Sequence, residues 1–223
     1  MIQIRELLPM AVRYRLMDLR GRGVYAGYPN DYKCIFIHIP KTAGTSIVKS
    51  LFNCVSRHTP YFEYQKANKQ KFDDYFKFCF VRNPWDRLLS TYLFLKKGGL
   101  NAQDEKWAKN NISQYETFNE FVTSWVNETN IMQWIHFYPQ HYFVCDGDLN
   151  IMVDYVGRQE RIDEGYDFVC KKLGMENNLL SKVNTTQHKH YSFYYSEEAK
   201  QIVEKVYHKD IELFGYEFSR LEA

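Results

Sequence analysis

The sequence contains no long apolar run. No stretch approaches the ~20 apolar residues that a membrane-spanning helix requires. Arg5, Arg13 and Arg15 interrupt the N-terminal region where a signal peptide would carry its apolar core. We therefore expect neither a membrane span nor a secretory leader. The segment 4–22 is basic and can form an amphipathic helix, which would either pack against the domain or contact a membrane surface.

Paired cysteines and excess charge are also missing. The five cysteines are dispersed without a CxxC pair, and Cys34 and Cys79 lie in apolar runs, so we expect reduced thiols in a reducing compartment. The formal net charge is only +2, which confines any anion site to a local cluster and argues against a nucleic-acid partner. No group of His, Cys, Asp or Glu has metal-ligand spacing, and we expect no metal.

Apolar runs and helical patterns alternate along the chain. Its 223 residues suit one α/β domain, and the alternation predicts a mostly parallel sheet flanked by helices. We assign 1–33 to an N-terminal helix and loop packed on the domain, and 34–223 to the domain itself. Predicted strands cover 34–39, 76–81, 141–145 and 152–156. Predicted helices cover 44–52, 84–97, 118–126, 131–137, 162–173 and a long segment after Ser196, whereas 21–32 is a predicted loop and 100–116 an irregular insertion.

A tight turn between the first predicted strand and the following helix carries a lysine. It reads Pro40-Lys41-Thr42-Ala43-Gly44-Thr45-Ser46. Backbone N–H groups at a helix start, together with a lysine and hydroxyl groups, bind tetrahedral oxyanions such as phosphate or sulfate. The Walker A pattern GxxxxGK[ST] is absent, because the lysine precedes the glycine. A capped helix without a ligand is the alternative.

A second polar segment follows the next predicted strand. It reads Phe80-Val-Arg-Asn-Pro-Trp-Asp-Arg-Leu-Leu-Ser-Thr-Tyr92. Arg82 lies at the carboxyl end of that strand, where open α/β sheets bind ligands, and its guanidinium matches the geometry of phosphate. Ser90, about two turns into the helix, can reach the same anion. Alternatively, Arg82 makes a structural ion pair and Ser90 is an ordinary helix residue.

Together these two segments resemble the sulfotransferase superfamily, in particular its carbohydrate branch, sulfotransferase family 2. The resemblance is close over 34–95 and weaker over 152–218. It implies a P-loop-like sulfotransferase fold, with 3′-phosphoadenosine 5′-phosphosulfate (PAPS) as donor and 3′,5′-adenosine bisphosphate as product. A hydroxyl group of a saccharide would be the acceptor.

The resemblance also implies roles for individual residues. The loop 40–46 would hold the 5′-phosphosulfate, with Lys41 as a catalytic residue at the leaving oxygen. Arg82 and Ser90 would hold the 3′-phosphate. The segment 188–192 corresponds to a stretch that closes over the nucleotide, although it can also be a solvated polar loop. Its expected contacts are His188, Lys189, Tyr191 and Ser192.

Sulfuryl transfer needs a base that accepts the proton of the attacking hydroxyl, and histidine or glutamate can serve. His58 lies between the two segments, where some 2-O-sulfotransferase relatives carry their catalytic histidine. We therefore take His58 as the candidate base and Glu63 as the fallback, with a loop histidine without a role as the alternative. Residues 100–140 carry no usable resemblance, and acceptor specificity usually diverges there.

Two other functions stay open at this point. The first is a nucleotide kinase or phosphotransferase, which the missing Walker A pattern disfavours. The second is a catalytically inactive nucleotide-binding relative, against which the intact Lys41, Arg82 and Ser90 argue. Animal relatives usually carry a Golgi anchor. Its absence from this sequence, with the cysteine pattern, leads us to expect a cytoplasmic, bacterial enzyme, with peripheral membrane contact through the basic N-terminal segment as an option.

Overall fold

Three parallel strands form the centre of the fold. The structure is a computed structural model that describes residues 9–176, 180 and 189–220. Within these residues the strand order is β1-β2-β3, and all pairings are parallel. The carboxyl ends of the strands therefore meet at one edge of the sheet. The strands are β1 (Cys34–Ile37), β2 (Phe76–Val81) and β3 (Tyr155–Arg158).

Helices surround the sheet and account for about half of the described residues. The helices up to the second strand are α1 (Met10–Leu19), α2 (Tyr28–Tyr32), α3 (Gly44–Phe52), α4 (Tyr61–Ala67) and α5 (Lys69–Asp74). Those that follow are α6 (Pro84–Lys96), α7 (Ala102–Asn111), α8 (Phe118–Trp125), α9 (His141–Val144), α10 (Ile162–Leu173), α11 (Glu197–Val206) and α12 (His208–Phe214). No described helix is both long and apolar enough to cross a bilayer.

The sheet is buried on both faces, as the continuous apolar strands predict. Phe36 and Phe78 pack on one face and Ile37 and Val81 on the other. A third apolar cluster joins α6, α7, α8 and α11 beside the sheet. The carboxyl edge of the sheet is therefore held between rigid layers.

The predicted α/β domain with a parallel sheet flanked by helices is confirmed. The strand predicted at 76–81 and the helices predicted at 44–52 and 162–173 occur with the expected bounds. Asn83 caps α6, because its side chain accepts hydrogen bonds from the N–H groups of Trp85 and Asp86. All five cysteines are free, and Cys34 and Cys79 are buried.

The strand predicted at 141–145 is wrong. These residues form the short helix α9, and only Cys145 makes an isolated antiparallel bridge, with Ile151. The cause is tertiary, because the buried carboxylate of Asp210 accepts hydrogen bonds from the N–H groups of Gln140 and His141. Those bonds satisfy the donors that a helix start leaves free. The strand predicted at 152–156 begins at Tyr155 and ends at Arg158.

The predicted irregular insertion at 100–116 is also wrong, since most of it forms α7. Asn101 caps this helix by accepting from the N–H groups of Gln103 and Asp104. The predicted helix at 131–137 consists of two 3₁₀ turns, and the predicted loop at 21–32 contains α2. The predicted long final helix is divided at Tyr207 into α11 and α12.

Candidate active site

The turn after β1 has an unusual backbone. Lys41 and Ala43 adopt left-handed conformations, with φ of 68° and 64°, whereas Thr42 between them does not. Such alternation turns successive N–H groups toward the same side, as in the backbone nests that bind anions. The Thr42 hydroxyl donates to the carbonyl of Ile39 at 2.9 Å and closes the turn.

The backbone N–H groups of residues 41–45 are available to a ligand. Within the described part of the chain they donate to no protein acceptor, and the first donors in this stretch with an acceptor are Ser46 and Ile47, which bond the carbonyl of Ala43. Helix α3 begins at Gly44, so its positive end points at the same place. A Cβ atom on Gly44 would lie 2.1 Å from Cδ2 of His38. The glycine therefore allows the helix start to lie directly against the histidine ring.

Lys41 is a largely buried cation at the head of this loop. Its Nζ lies 4.0 Å from the ring centroid of Phe94 on α6. Burial and the charge of Arg82 lower the pKa of Lys41 to about 8, against the opposing effect of Asp104. The protein therefore balances the positive charge of the Lys41 ammonium group only in part, which favours the binding of an anion.

Arg82 joins the two polar segments directly. Its Nη1 donates to the carbonyl of Lys41 at 3.2 Å, and its Nε donates to Asp86 at 2.9 Å. The remaining guanidinium nitrogen, Nη2, has no hydrogen bond to any residue that the structure describes. The structure therefore brings Lys41 and Arg82 together at the carboxyl ends of β1 and β2. The N–H groups of Arg82 Nη2 remain available to a ligand.

The other residues predicted to bind the sulfuryl donor lie in different surroundings. Thr45 is exposed at the start of α3, whereas Ser46 and Ser90 are buried. The carbonyl of Pro40 accepts a hydrogen bond from Nη1 of Arg87 at 3.4 Å. This hydrogen bond connects the loop to α6. Sequence reasoning gave no role to Arg87.

The segment that follows residue 188 packs against the start of α6. The Tyr191 hydroxyl accepts from Nδ2 of Asn83 at 3.4 Å and from the Ser219 N–H at 2.8 Å. Lys189 and Tyr191 line a cavity of about 280 Å³ together with Asn83, Asp86, Glu160, His190 and Ser219. Ser192 instead places its Oγ 2.9 Å from Nδ1 of His190. His188 lies outside the described residues.

His58 is oriented by the backbone of the first segment. Its Nδ1 lies 2.8 Å from the carbonyl of His38. Because a carbonyl can only accept, Nδ1 carries the proton, and neutral His58 keeps a lone pair on Nε2. Burial lowers the pKa of His58, so this neutral form is the stable one near pH 7. Such a tautomer is suited to accept a proton.

The fallback residue Glu63 lies among other partners. Its carboxylate accepts a hydrogen bond from the Tyr14 hydroxyl at 2.6 Å and pairs with Lys66 at 3.7 Å. The bond from Tyr14 links α1 to α4. No described contact joins Glu63 to Lys41, Arg82 or His58.

Sequence reasoning missed a buried histidine–aspartate pair beside His58. Nε2 of His136 lies 3.2 Å from Oδ1 of Asp104, and the His136 ring centroid lies 5.7 Å from that of His58. Trp134 donates its Nε1–H to the same carboxylate oxygen. Burial lowers the pKa of His136 to about 4, so it is neutral beside His58. The cap residue Asn101 was the sequence signal for the helix that carries Asp104.

The fold and the site define an α/β protein with a lysine-bearing loop of free backbone N–H groups at the carboxyl edge of its parallel sheet. Sequence comparison specifies the family. The chain belongs to the sulfotransferase family, whose sequence model matches residues 28–217. The resemblance inferred from the two polar segments is confirmed. No solved structure matches this chain.

Two curated proteins illustrate the similarity. An uncharacterized protein of Archaeoglobus fulgidus is 32% identical over 127 residues, which cover 56% of this chain and 90% of that protein. Carbohydrate sulfotransferase 14 of Danio rerio is 28% identical over 165 residues, which cover 64% of this chain and 44% of that protein. The chain thus matches less than half the length of the zebrafish enzyme. Family membership supports sulfotransfer as the class of reaction.

Proposed function

We propose that this protein transfers the sulfuryl group of PAPS to a hydroxyl of a saccharide. One observation carries the proposal: the free N–H groups of residues 41–45, the Lys41 ammonium and the spare donors of Arg82 converge at the carboxyl edge of the sheet. This cluster offers donors for two separate anionic groups. PAPS carries such groups, the 5′-phosphosulfate and the 3′-phosphate.

The residues around the loop would act at defined atoms. Nε2 of His58 takes the proton of the acceptor hydroxyl as its oxygen forms a bond to sulfur. The bond between sulfur and the bridging phosphate oxygen breaks, and the electron pair stays on that oxygen. Lys41 stabilises the charge that develops there, helped by the N–H groups of the loop. The products are the sulfate ester and 3′,5′-adenosine bisphosphate.

The surroundings suit this division of roles. Burial is the main cause of the lowered pKa of His58, and the charge of Lys41 adds to it. A cation at the leaving oxygen and a neutral base at the attacking oxygen are what in-line transfer requires. The acceptor class rests on the carbohydrate sulfotransferase of Danio rerio that this chain resembles.

Binding of the product nucleotide tests the donor site. We expect Lys41→Met and Arg82→Gln each to weaken binding of 3′,5′-adenosine bisphosphate by about tenfold to hundredfold, the loss of one or two charge-assisted hydrogen bonds. Lys97→Met and Arg161→Gln are matched controls, because both residues are exposed. Unchanged affinity in both site variants would overturn the assignment.

A second measurement tests the reaction itself. Labelled PAPS is incubated with a panel of glycans and small alcohols, and sulfate esters are separated and counted. Thermal stabilisation by ATP–Mg²⁺ but not by 3′,5′-adenosine bisphosphate would favour a kinase. Tight nucleotide binding without transfer to any acceptor would indicate a binding protein that lacks the chemistry.

A further inference from the structure

The side chain of Gln140 forms two hydrogen bonds with the backbone of one residue, Arg82. Oε1 of Gln140 accepts from the Arg82 N–H at 2.9 Å, and Nε2 of Gln140 donates to the Arg82 carbonyl at 2.8 Å. Gln140 is fully buried. The amide therefore behaves toward Arg82 as a neighbouring strand would, although the two residues are far apart in sequence.

The position of Arg82 explains why it needs this partner. Strand β2 ends at Val81, whose register partner on β3 is Arg158, so Arg82 lies just beyond the sheet. Without Gln140, the backbone N–H and carbonyl of Arg82 would lack a hydrogen-bond partner, which is unfavourable for buried polar groups. Gln140 satisfies both groups and fixes the direction in which the arginine side chain leaves the strand.

Gln140 is itself held in place by a fully buried carboxylate. Oδ2 of Asp210 on α12 accepts from the Gln140 N–H at 2.6 Å, and Oδ1 accepts from the His141 N–H at 2.9 Å. Oδ1 also lies 2.6 Å from Nδ1 of His141. A series of buried hydrogen bonds, from Asp210 through Gln140 to the backbone of Arg82, thus connects α12 to the candidate donor site.

We propose that Gln140 is a positioning residue that makes the donor site selective for nucleotides with a 3′-phosphate. This inference rests on the proposed function, in which Arg82 binds that phosphate. Gln140 acts on Arg82 alone, because its side-chain bonds go only to that backbone. The 5′-phosphosulfate loop has its own support, through Thr42 and Arg87.

Loss of the Gln140 amide should displace the guanidinium before it disturbs the loop. The bond from Arg82 to the Lys41 carbonyl is at the long end of the usual range, at 3.2 Å. A small shift of the arginine backbone weakens this bond, while the bonds made by Thr42 and Arg87 still hold the loop. Gln140→Met removes both amide bonds while keeping a side chain of similar length. Gln140→Leu also removes both bonds and fills the buried site with a branched apolar side chain.

The test compares the affinities of wild type and variants for 3′,5′-adenosine bisphosphate and for adenosine 5′-phosphate, by isothermal titration calorimetry. We expect Gln140→Met to reduce the preference for the bisphosphate by about tenfold to hundredfold, the worth of a charge-assisted hydrogen bond. Binding of adenosine 5′-phosphate should change little. Gln133→Met is the matched control, since Gln133 is exposed in a 3₁₀ turn. A merely structural role for Gln140 would lower the melting temperature and leave the preference unchanged.

Each outcome separates this inference from the proposed function. If Arg82→Gln retains the preference for the bisphosphate, the proposed 3′-phosphate site is wrong. If Arg82→Gln loses the preference and Gln140→Met retains it, the role of Gln140 is overturned. Should Gln140→Met fail to fold, Gln140→Leu replaces it, and a preserved preference in that variant overturns the role equally.

Discussion

Replacing His58 by asparagine separates its chemical role from its structural one. The Nδ2 amide of asparagine can reproduce the hydrogen bond that Nδ1 of His58 donates to the His38 carbonyl at 2.8 Å. What the variant lacks is the lone pair of Nε2. A general base contributes roughly 10²–10⁴-fold to the rate. We therefore expect the transfer step to slow by that factor, which corresponds to about 3–5.5 kcal/mol in the barrier.

The assay is single-turnover transfer from labelled PAPS with saturating acceptor, which isolates the chemical step from product release. Burial lowers the pKa of His58 below its usual value of 6.5, and in the proposed mechanism the neutral form is the active one. The wild-type rate should therefore hold at neutral pH and fall only as the pH drops through that lowered pKa. In the asparagine variant this acidic limb should disappear, while binding of 3′,5′-adenosine bisphosphate stays within a few-fold.

His208→Asn is the matched control. Nδ1 of His208 also lies near a backbone carbonyl, that of Lys205 at 3.0 Å, but the residue is exposed on α12. Its replacement should leave the rate unchanged. A His58→Asn enzyme that keeps the acidic limb and most of its rate would refute the assignment. Loss of activity in Glu63→Gln would then point to the fallback base.

Two further predictions concern the loop 40–46. Lys41 has a pKa lowered to about 8, so its ammonium is lost as the pH rises through that value. Affinity for 3′,5′-adenosine bisphosphate should fall across the same range, whereas Lys41→Arg, which stays charged, should show a flat profile in calorimetric titrations. A flat wild-type profile would contradict this role. Gly44→Ala should destabilise the protein by about 1–3 kcal/mol in urea unfolding, because its Cβ would meet the His38 ring at 2.1 Å. Gly147→Ala, where a Cβ meets nothing within 4 Å, is its control, and equal stabilities would argue against the clash.

Local patterns predicted the central part of the fold correctly. The strand at 76–81 follows from an apolar run, and the start of α6 follows from an asparagine cap before a proline at the first helical position. Both are signals within a few residues of the structure they specify. Lys41 and Arg82 could be paired in advance for a related reason, since the carboxyl ends of parallel strands meet at one edge.

Long-range contacts account for most of what was missed. Residues 141–145 have the composition of a strand, yet the carboxylate of Asp210, distant in sequence, starts a helix there. The pairing of Asp104 with His136 likewise depends on how α7 packs against the 3₁₀ turns. Each such contact is made by a single side chain, and no periodicity marks it in the sequence.

The sequence by itself determined the family, the order of the two polar segments and the position of Lys41 at a turn before a helix. These features follow from local chemistry: apolar runs, capping residues and hydroxyl or cationic side chains at short spacing. The tertiary structure alone decided the rest, namely the free N–H groups at 41–45, the tautomer of His58 and the hydrogen bonds between the Gln140 side chain and the Arg82 backbone. These depend on which buried donor meets which acceptor. That choice is made only when distant segments pack together and every buried polar group must find a partner.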